Sequence, residues 1–177
     1  MARRHRPRRA QRTVLLVGEG DTDVAFLKHL KGLYNVRNCG VACTIRNAHG
    51  RGPEHVLDYT ERQSRTADYD RKAAFLDTDI PWPQRMRKRA GQKYIELLPS
   101  EPCLEGFLLR ILGQQVPALS NECKTLLRDM NLKSHSCYEE HFPRELLDRR
   151  KVKIETLERL IRLLSCPNDS VQGNRRA

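Results

Sequence analysis

Residues 13–23 read Thr-Val-Leu-Leu-Val-Gly-Glu-Gly-Asp-Thr-Asp, and this stretch decides the fold. It begins with a short uncharged run, which is typical of a strand buried on both faces of a sheet. The run stops at Gly18-Glu19-Gly20, after which Asp21 or Thr22 can cap a helix. Apolar side chains then recur on one helical face as far as Tyr34. The stretch therefore predicts a strand, a tight turn and an amphipathic helix in succession.

The same alternation of strand and helix continues along the chain. Further strands are predicted at 41–45, 73–76 and 94–98, with helices at 53–66 and 104–112. No hairpin turn signal separates any of these strands. The pattern predicts an α/β fold, in which a Rossmann-like parallel four-stranded sheet is flanked by helices.

The chain divides into four predicted segments of different character. They are a basic disordered arm, an α/β domain, a helical extension packed on the sheet and a frayed tail, at residues 1–12, 13–113, 114–166 and 167–177. Within the extension, the strongly amphipathic helix predicted at 154–164 could serve a homo-oligomer or a partner protein.

The charge balance indicates a polyanionic partner. Lys and Arg number 33 against 22 Asp and Glu, which gives a net charge of +11. Such an excess is typical of proteins that bind nucleic acid, another polyanion or an anionic membrane surface. The arm carries no acid, and its arginines could either contact phosphates or only keep the chain in solution; they include Arg3, Arg4, Arg6, Arg8 and Arg9.

Hydropathy argues against a membrane-spanning segment, and we expect no membrane partner. No apolar run approaches the roughly 18 residues that a spanning helix needs. The arginine-rich start also lacks the apolar stretch of a secretory signal. We therefore expect a cytoplasmic protein.

The six cysteines are scattered and form no CxxC pair. A zinc site could be drawn from Cys39 with Cys43, or from Cys137 with His141. Neither spacing is repeated in a second pair, so we expect no zinc. A disulfide framework would be unusual in an unsecreted chain of this size, and buried thiols are the favoured interpretation.

Acidic residues follow the ends of two predicted strands. Glu19 comes after the first strand, and Asp77 and Asp79 come after the third. Asp23 lies one helical turn beyond Glu19, and Glu105 lies on the helix after the fourth strand. Ligands of open parallel sheets bind at the carboxyl ends of the strands. If the first and third strands are neighbours, we expect Glu19, Asp77 and Asp79 to lie within a few ångströms of one another.

Converging carboxylates repel one another unless a cation joins them. Oxygen ligands without nearby His or Cys suit Mg²⁺ or Mn²⁺, which is the usual equipment of phosphoryl-transfer sites. The alternative is that each acid only ends a strand, as Asx-type turns do, and that Glu105 only complements a helix dipole.

Two segments are candidates for phosphate binding. The turn at 47–52 precedes a helix, where backbone N–H groups bind anions, and His49 and Arg51 lie within it. A basic segment after Asp79 could follow a nucleic-acid backbone, through Arg85, Arg87, Lys88 and Arg89. The single tryptophan, Trp82, is interpreted as a loop anchor in preference to a base-stacking platform.

Three motifs resemble those of Toprim domains, the catalytic module of primases, topoisomerases and overcoming-lysogenization-defect nucleases. Residues 15–23 resemble the first motif, and residues 74–79 resemble the DxD motif. Within that group the chain looks most like the RloB-like proteins of bacterial defence loci. Their NPCFE motif is similar to residues 101–105. Two positions depart from the pattern: Asp23 stands where the family usually has Glu, and Glu101 where it has Asn.

The resemblance covers about residues 13–113 and implies a Toprim-like fold. It further implies a metal-dependent nuclease, with Glu19, Asp77, Asp79 and Asp23 as ion ligands. Glu19 would also act as a general acid or base. Glu105 would be a further ligand or would orient a metal-bound water. The substrate would be RNA such as tRNA, or DNA, and the setting antiphage defence.

Two other readings stay open. The chain could be a non-catalytic nucleic-acid-binding subunit of a defence complex with an ATPase partner. Residues 75–79 also look like the entry motif of haloacid-dehalogenase phosphatases, with Asp77 as nucleophile. That family requires Thr or Val at the position of Pro81, and its motif follows the first strand instead of the third.

Overall fold

The computed structural model describes residues 12–37, 39–130, 132 and 138–166. The arm arginines before Arg12, Cys137 and the tail at 167–177 therefore lie outside the described residues. The strands are β1 (Arg12–Gly18), β2 (Val41–Asn47), β3 (Arg71–Asp77) and β4 (Ile95–Ser100). The helices are α1 (Asp21–Tyr34), α2 (Pro53–Gln63), α3 (Gln84–Gln92), α4 (Leu104–Leu112), α5 (Ser120–Asp129), α6 (Tyr138–His141), α7 (Arg144–Lys151) and α8 (Glu155–Leu164).

The four strands form one parallel sheet in the order β2-β1-β3-β4. The predicted Rossmann-like α/β architecture is confirmed. In this order β1 and β3 are neighbours, with Gly18 opposite Phe75, while β4 pairs with β3 so that Asp77 faces Ser100. The carboxyl ends of β1, β3 and β4 therefore meet at one edge of the sheet.

Helices cover both faces of the sheet. On one face, Val14 and Leu16 of β1 belong to a core that includes Phe26 of α1 and Phe107 of α4. On the other face, Leu15 and Val17 contact a smaller core built by α2 and α3. Alternate residues of β1 thus point into different cores, which is why residues 14–17 are all apolar.

The C-terminal helices pack against the first of these faces. Leu147 of α7 and Leu157 of α8 are fully buried in the same core as Phe26. Arg159 of α8 also forms an ion pair with Glu96 of β4 at 2.7 Å. In the described part of the chain, no helix is long and apolar enough to cross a membrane.

Several predicted element boundaries differ from the structure by a few residues, and the differences at Arg12 and Tyr94 change where these residues belong. Arg12, assigned to the arm, is the first residue of β1, because its backbone N–H donates to the carbonyl of Gly40 at 3.0 Å. Its guanidinium donates to carbonyls at the end of α8, including that of Ser165 at 2.7 Å. Tyr94, predicted to begin the fourth strand, instead precedes β4 with a positive φ of 53° and an exposed side chain.

Candidate functional site

Five acidic side chains interact at the edge where β1, β3 and β4 end. We call them the carboxylate cluster: Glu19, Asp23, Asp77, Asp79 and Glu105. The backbone N–H of Asp77 donates to Oε2 of Glu19 at 3.2 Å, which joins the end of β3 to the turn after β1. The structure therefore brings together the acids that the sequence places after neighbouring strands.

Asp77 is the most firmly held member of the carboxylate cluster. Its Oδ1 accepts the Ser100 hydroxyl at 2.7 Å and the backbone N–H of Leu104 at 3.0 Å. Burial raises the pKa of Asp77 to about 6, the Ser100 hydrogen bond opposes this rise, and the charges of Glu19, Asp79 and Glu105 add to it. Two donors thus fix one oxygen while neighbouring charges disfavour ionisation.

Asp23 lies deeper than its sequence position suggested. It is 6% exposed, and its Oδ2 accepts the backbone N–H of Gly20 at 3.0 Å. Within the described residues its Oδ1 is buried without a hydrogen-bond partner. Burial raises the pKa of Asp23 to about 7, and the charge of Asp77 is the next cause. The first turn of α1 therefore places Asp23 inside the cluster instead of at its margin.

The close approach of α1 to β1 depends on Gly18. A Cβ at this position would lie 3.0 Å from Cβ of Asp23 and 3.1 Å from Cγ2 of Val24. Contacts this short would force α1 away from the strand. Gly18 therefore allows Asp23 to reach the cluster.

Glu19 and Asp79 occupy the more open side of the cluster. Burial raises the pKa of Glu19, the hydrogen bond from Asp77 opposes the rise, and the charge of Asp79 adds to it. Asp79 is exposed, and its Oδ2 accepts the Ser120 hydroxyl at 3.1 Å. The turn between β3 and α3 is fixed by the carbonyl of Pro102, which accepts the N–H groups of Thr78 and Asp79 at 3.0 Å each.

Glu105 lies in the first turn of α4 and is half-buried. Its charge contributes to the raised pKa values of Asp77 and of the Cys103 thiol. Cys103 is fully buried, and burial raises its pKa to about 12. Glu105 thus lies near the N-terminus of α4 and also interacts electrostatically with the carboxylate cluster.

The donors have the chemistry of a site for a hard divalent cation. Among the described residues, no group of three or more His, Cys, Asp and Glu side chains is already arranged as a metal site. The cluster nevertheless offers carboxylate oxygens, one of which, Oδ1 of Asp23, is buried and lacks a hydrogen-bond partner within the described residues. Carboxylates that raise one another's pKa would be stabilised in their ionised form by a cation.

The turn at 47–52 lies beside Glu19, whose carbonyl accepts the N–H of Gly50 at 2.8 Å. His49 and Arg51 are exposed and adopt positive φ angles of 62° and 74°. Such angles are unfavourable for residues other than glycine and are concentrated at functional sites. The side chain of Asn47 tightens the turn by accepting the N–H of His49 at 2.7 Å.

The predicted basic segment forms α3, and two of its arginines are already paired. Arg85 contacts Glu54 of α2 at 2.8 Å, and Arg89 contacts Asp58 and Glu61 of the same helix. Arg87 instead lies over the ring of Trp82, and both Arg87 and Lys88 are exposed. Arg85 and Arg89 thus bind α3 to α2, which leaves Arg87 and Lys88 as the less engaged members of the predicted track.

Three side chains that support the cluster were not predicted as site residues. Ser100 is fully buried and donates to Asp77, and Ser120 donates to Asp79. The indole N–H of Trp82 donates to the carbonyl of Asp77 at 2.8 Å, so Trp82 anchors the loop as interpreted. A polar residue at the end of β4 was the only signal for Ser100, and nothing in the sequence connected Ser120 with Asp79.

The chain was compared with protein-family models, curated proteins and solved structures, and none of them matches it.

Proposed function

We propose that the protein is a divalent-metal-dependent nuclease of the Toprim, RloB-like type that acts on RNA such as tRNA, or on DNA. The observation that carries this proposal is the carboxylate cluster at the carboxyl ends of parallel strands, with raised pKa values at Glu19, Asp23 and Asp77. The motif resemblance and the net charge of +11 support the same conclusion. We further propose a cytoplasmic role in antiphage defence, with an ATPase as a candidate partner.

Glu19, Asp23, Asp77 and Asp79 would hold Mg²⁺ or Mn²⁺. When bound, such an ion supplies Lewis-acid stabilisation of charge on a phosphoryl oxygen and lowers the pKa of water. Asp77 is suited to be the fixed ligand, because one of its oxygens is already held by Ser100 and Leu104.

Glu19 is the candidate for proton transfer. Its pKa is raised above the ordinary glutamate value, so it can hold and release a proton closer to neutral pH. The turn at 47–52 adjoins it and presents exposed His49 and Arg51, which would bind a flanking phosphate. Exposed Arg87 and Lys88 would contact the nucleic-acid backbone through charge alone.

Replacement of Asp77 tests the proposal. Asp77→Asn keeps an oxygen that can accept from Ser100 and Leu104 but removes one charge from the cluster. We expect cleavage of labelled tRNA, single-stranded DNA or duplex DNA in Mg²⁺ or Mn²⁺ to fall by more than about 100-fold. Asp68→Asn is the matched control, because Asp68 is exposed and precedes β3 at the opposite edge of the sheet. Cleavage that persists at the parent rate in Asp77→Asn would refute the assignment.

A second measurement separates a nuclease from a subunit that only binds nucleic acid. A cation held by the native state must raise the free energy of unfolding, by about 2.7 kcal/mol at a concentration of 100 times Kd. We expect Mg²⁺ or Mn²⁺ to raise the melting temperature of the parent and of Asp68→Asn, and to have little effect on Asp77→Asn. Nucleic-acid binding without any metal effect or cleavage would favour the binding subunit.

A further inference from the structure

A second charged site lies at the opposite end of the molecule. A cavity of about 450 Å³ is lined by the first residue of β1, the last residue of α1, and residues of α7 and α8. Because the strands are parallel, this cavity belongs to the amino-terminal edge of the sheet, whereas the carboxylate cluster lies at the carboxyl edge. It is therefore independent of the proposed nuclease site.

Basic side chains outnumber acidic ones in the wall of this cavity. The basic ones are Arg12, Arg144, Lys151 and Arg162, against Asp148 and Glu158. Asp148 is shared, since it contacts Lys151 at 2.7 Å and Arg144 at 3.6 Å and also accepts the Tyr34 hydroxyl at 3.2 Å. The contact of Arg162 with Glu158 is long, at 3.7 Å. The cavity wall therefore contains two carboxylates and four cationic side chains.

Arg12 differs from the other three cations. Its Nη2 donates to carbonyls at the end of α8, where the helix dipole is negative. Its Nε is buried and has no hydrogen-bond partner within the described residues. The carbonyls at the end of α8 could offset the charge of Arg12 completely. The three remaining cations would still outnumber the two acids. The cavity therefore keeps a net positive charge.

We propose that this cavity binds a phosphate group. Guanidinium and ammonium groups that converge on one space match the several oxygens of a phosphate. The volume lies within the range of small-molecule sites and exceeds what one inorganic ion requires. The phosphate could belong to a free phosphorylated molecule or to the backbone of a nucleic acid. In the second case the cavity and the arm would bind the same nucleic acid, because Arg12 directly follows a segment with five arginines.

The test measures phosphate binding by the full chain in an Asp77→Asn background, so that no nucleic acid is cut. The probes are inorganic phosphate, followed by calorimetry, and a fluorescent single-stranded 12-mer, followed by anisotropy. We expect Lys151→Gln and Arg162→Gln each to weaken binding of at least one probe by about tenfold. Lys153→Gln is the matched control, because Lys153 is exposed and does not line the cavity.

The two probes identify the source of the phosphate. A loss confined to inorganic phosphate supports a small phosphorylated ligand, and a loss confined to the 12-mer supports a nucleic-acid backbone. Arg162 is exposed on α8, so its replacement keeps the test valid if Lys151→Gln fails to fold. The proposal is overturned if neither probe binds, or if Lys153→Gln weakens binding as much as the cavity variants do. If the parent protein cleaves no nucleic acid while the Asp77→Asn protein binds phosphate as expected, only the nuclease proposal is contradicted.

Discussion

At the scale of single residues, Asp23 carries the largest electrostatic cost in the cluster. It is almost fully buried, one of its oxygens lacks a partner within the described residues, and its pKa is raised to about 7. A carboxylate in this position opposes folding whenever it is charged. A carboxylate that is held at a stability cost is a candidate for a functional role.

The raised pKa of Asp23 predicts an unusual pH dependence of the metal-free protein. Between the unfolded value of 3.8 and about 7, the folded state binds the proton more tightly than the unfolded chain does. The contribution of Asp23 to the free energy of unfolding therefore falls as pH rises through this window. We expect urea unfolding to show a loss of about 2 to 4 kcal/mol from this group between about pH 5 and pH 8.

Replacement by asparagine isolates this effect. Asp23→Asn should flatten the pH profile and raise the free energy of unfolding at pH 8 by about 1 to 2 kcal/mol, because no charge is then buried. Asp68→Asn should leave the profile unchanged, since Asp68 is exposed. A profile that is equally steep in Asp23→Asn and the parent would show that another group titrates.

At the scale of elements, the start of α4 fixes Asp77, and Gly106 allows it to do so. A Cβ on Gly106 would lie 2.5 Å from Cδ of Pro102 and 3.0 Å from the carbonyl oxygen of Glu101. The helix could then no longer sit over the turn whose carbonyl holds Thr78 and Asp79. The N–H of Leu104 would shift away from Asp77 with it.

We therefore expect Gly106→Ala to lower the free energy of unfolding by about 2 to 4 kcal/mol and to weaken the metal-induced rise in melting temperature. The matched control is Gly32→Ala in α1, where an added Cβ meets nothing within 4 Å. That change should be neutral or stabilising by up to about 1 kcal/mol, because alanine favours the helix. Chemical denaturation of both variants checks the comparison, and equal effects would show that close packing at Gly106 is unimportant.

The elements differ in how well the sequence predicts them. β1 and β3 were predictable because each contains a continuous run of buried apolar residues, at 14–17 and 73–76. α7 was not predicted, because Leu147 is its only buried residue and its charged neighbours show no helical pattern. α3 was predicted only as a basic segment, since its helix buries just Met86 and Ala90 against the sheet. Such helices form because they pack against distant parts of the chain, and the local sequence pattern carries no information on that packing.

The carboxylate cluster follows the same rule. Glu19 and Asp77 could be placed together from the sequence, because parallel strands end at the same edge. The hydroxyls of Ser100 and Ser120 and the pairing of Arg85 and Arg89 with α2 could not, because each depends on how two distant elements pack. The sequence therefore predicts the acidic residues of the site better than the hydroxyl groups that hydrogen-bond to them or the ion pairs of the nearby arginines.

At the scale of the whole molecule, the two edges of the sheet differ in charge. The carboxylate cluster occupies the carboxyl edge, and the basic cavity and the start of β1 occupy the other, about 20 Å away along a strand of seven residues. The arm joins the chain at the basic edge. It should therefore contribute to nucleic-acid affinity without taking part in the chemistry.

Deletion of residues 1–11 tests this separation. Arg12 must be kept, because it begins β1 and contacts the end of α8. The deletion removes five arginines, and each lost phosphate contact lowers the slope of log K against log salt by roughly 0.7 for a single strand. Since an arm seldom engages every charge, we expect a fall of about 2, measured in an Asp77→Asn background. Single-turnover cleavage by the otherwise parent sequence at saturating substrate should survive, because no member of the carboxylate cluster is removed. An unchanged slope would show that the arm only keeps the protein in solution. A loss of the single-turnover cleavage rate at saturating substrate would show that the arm contributes to the active site.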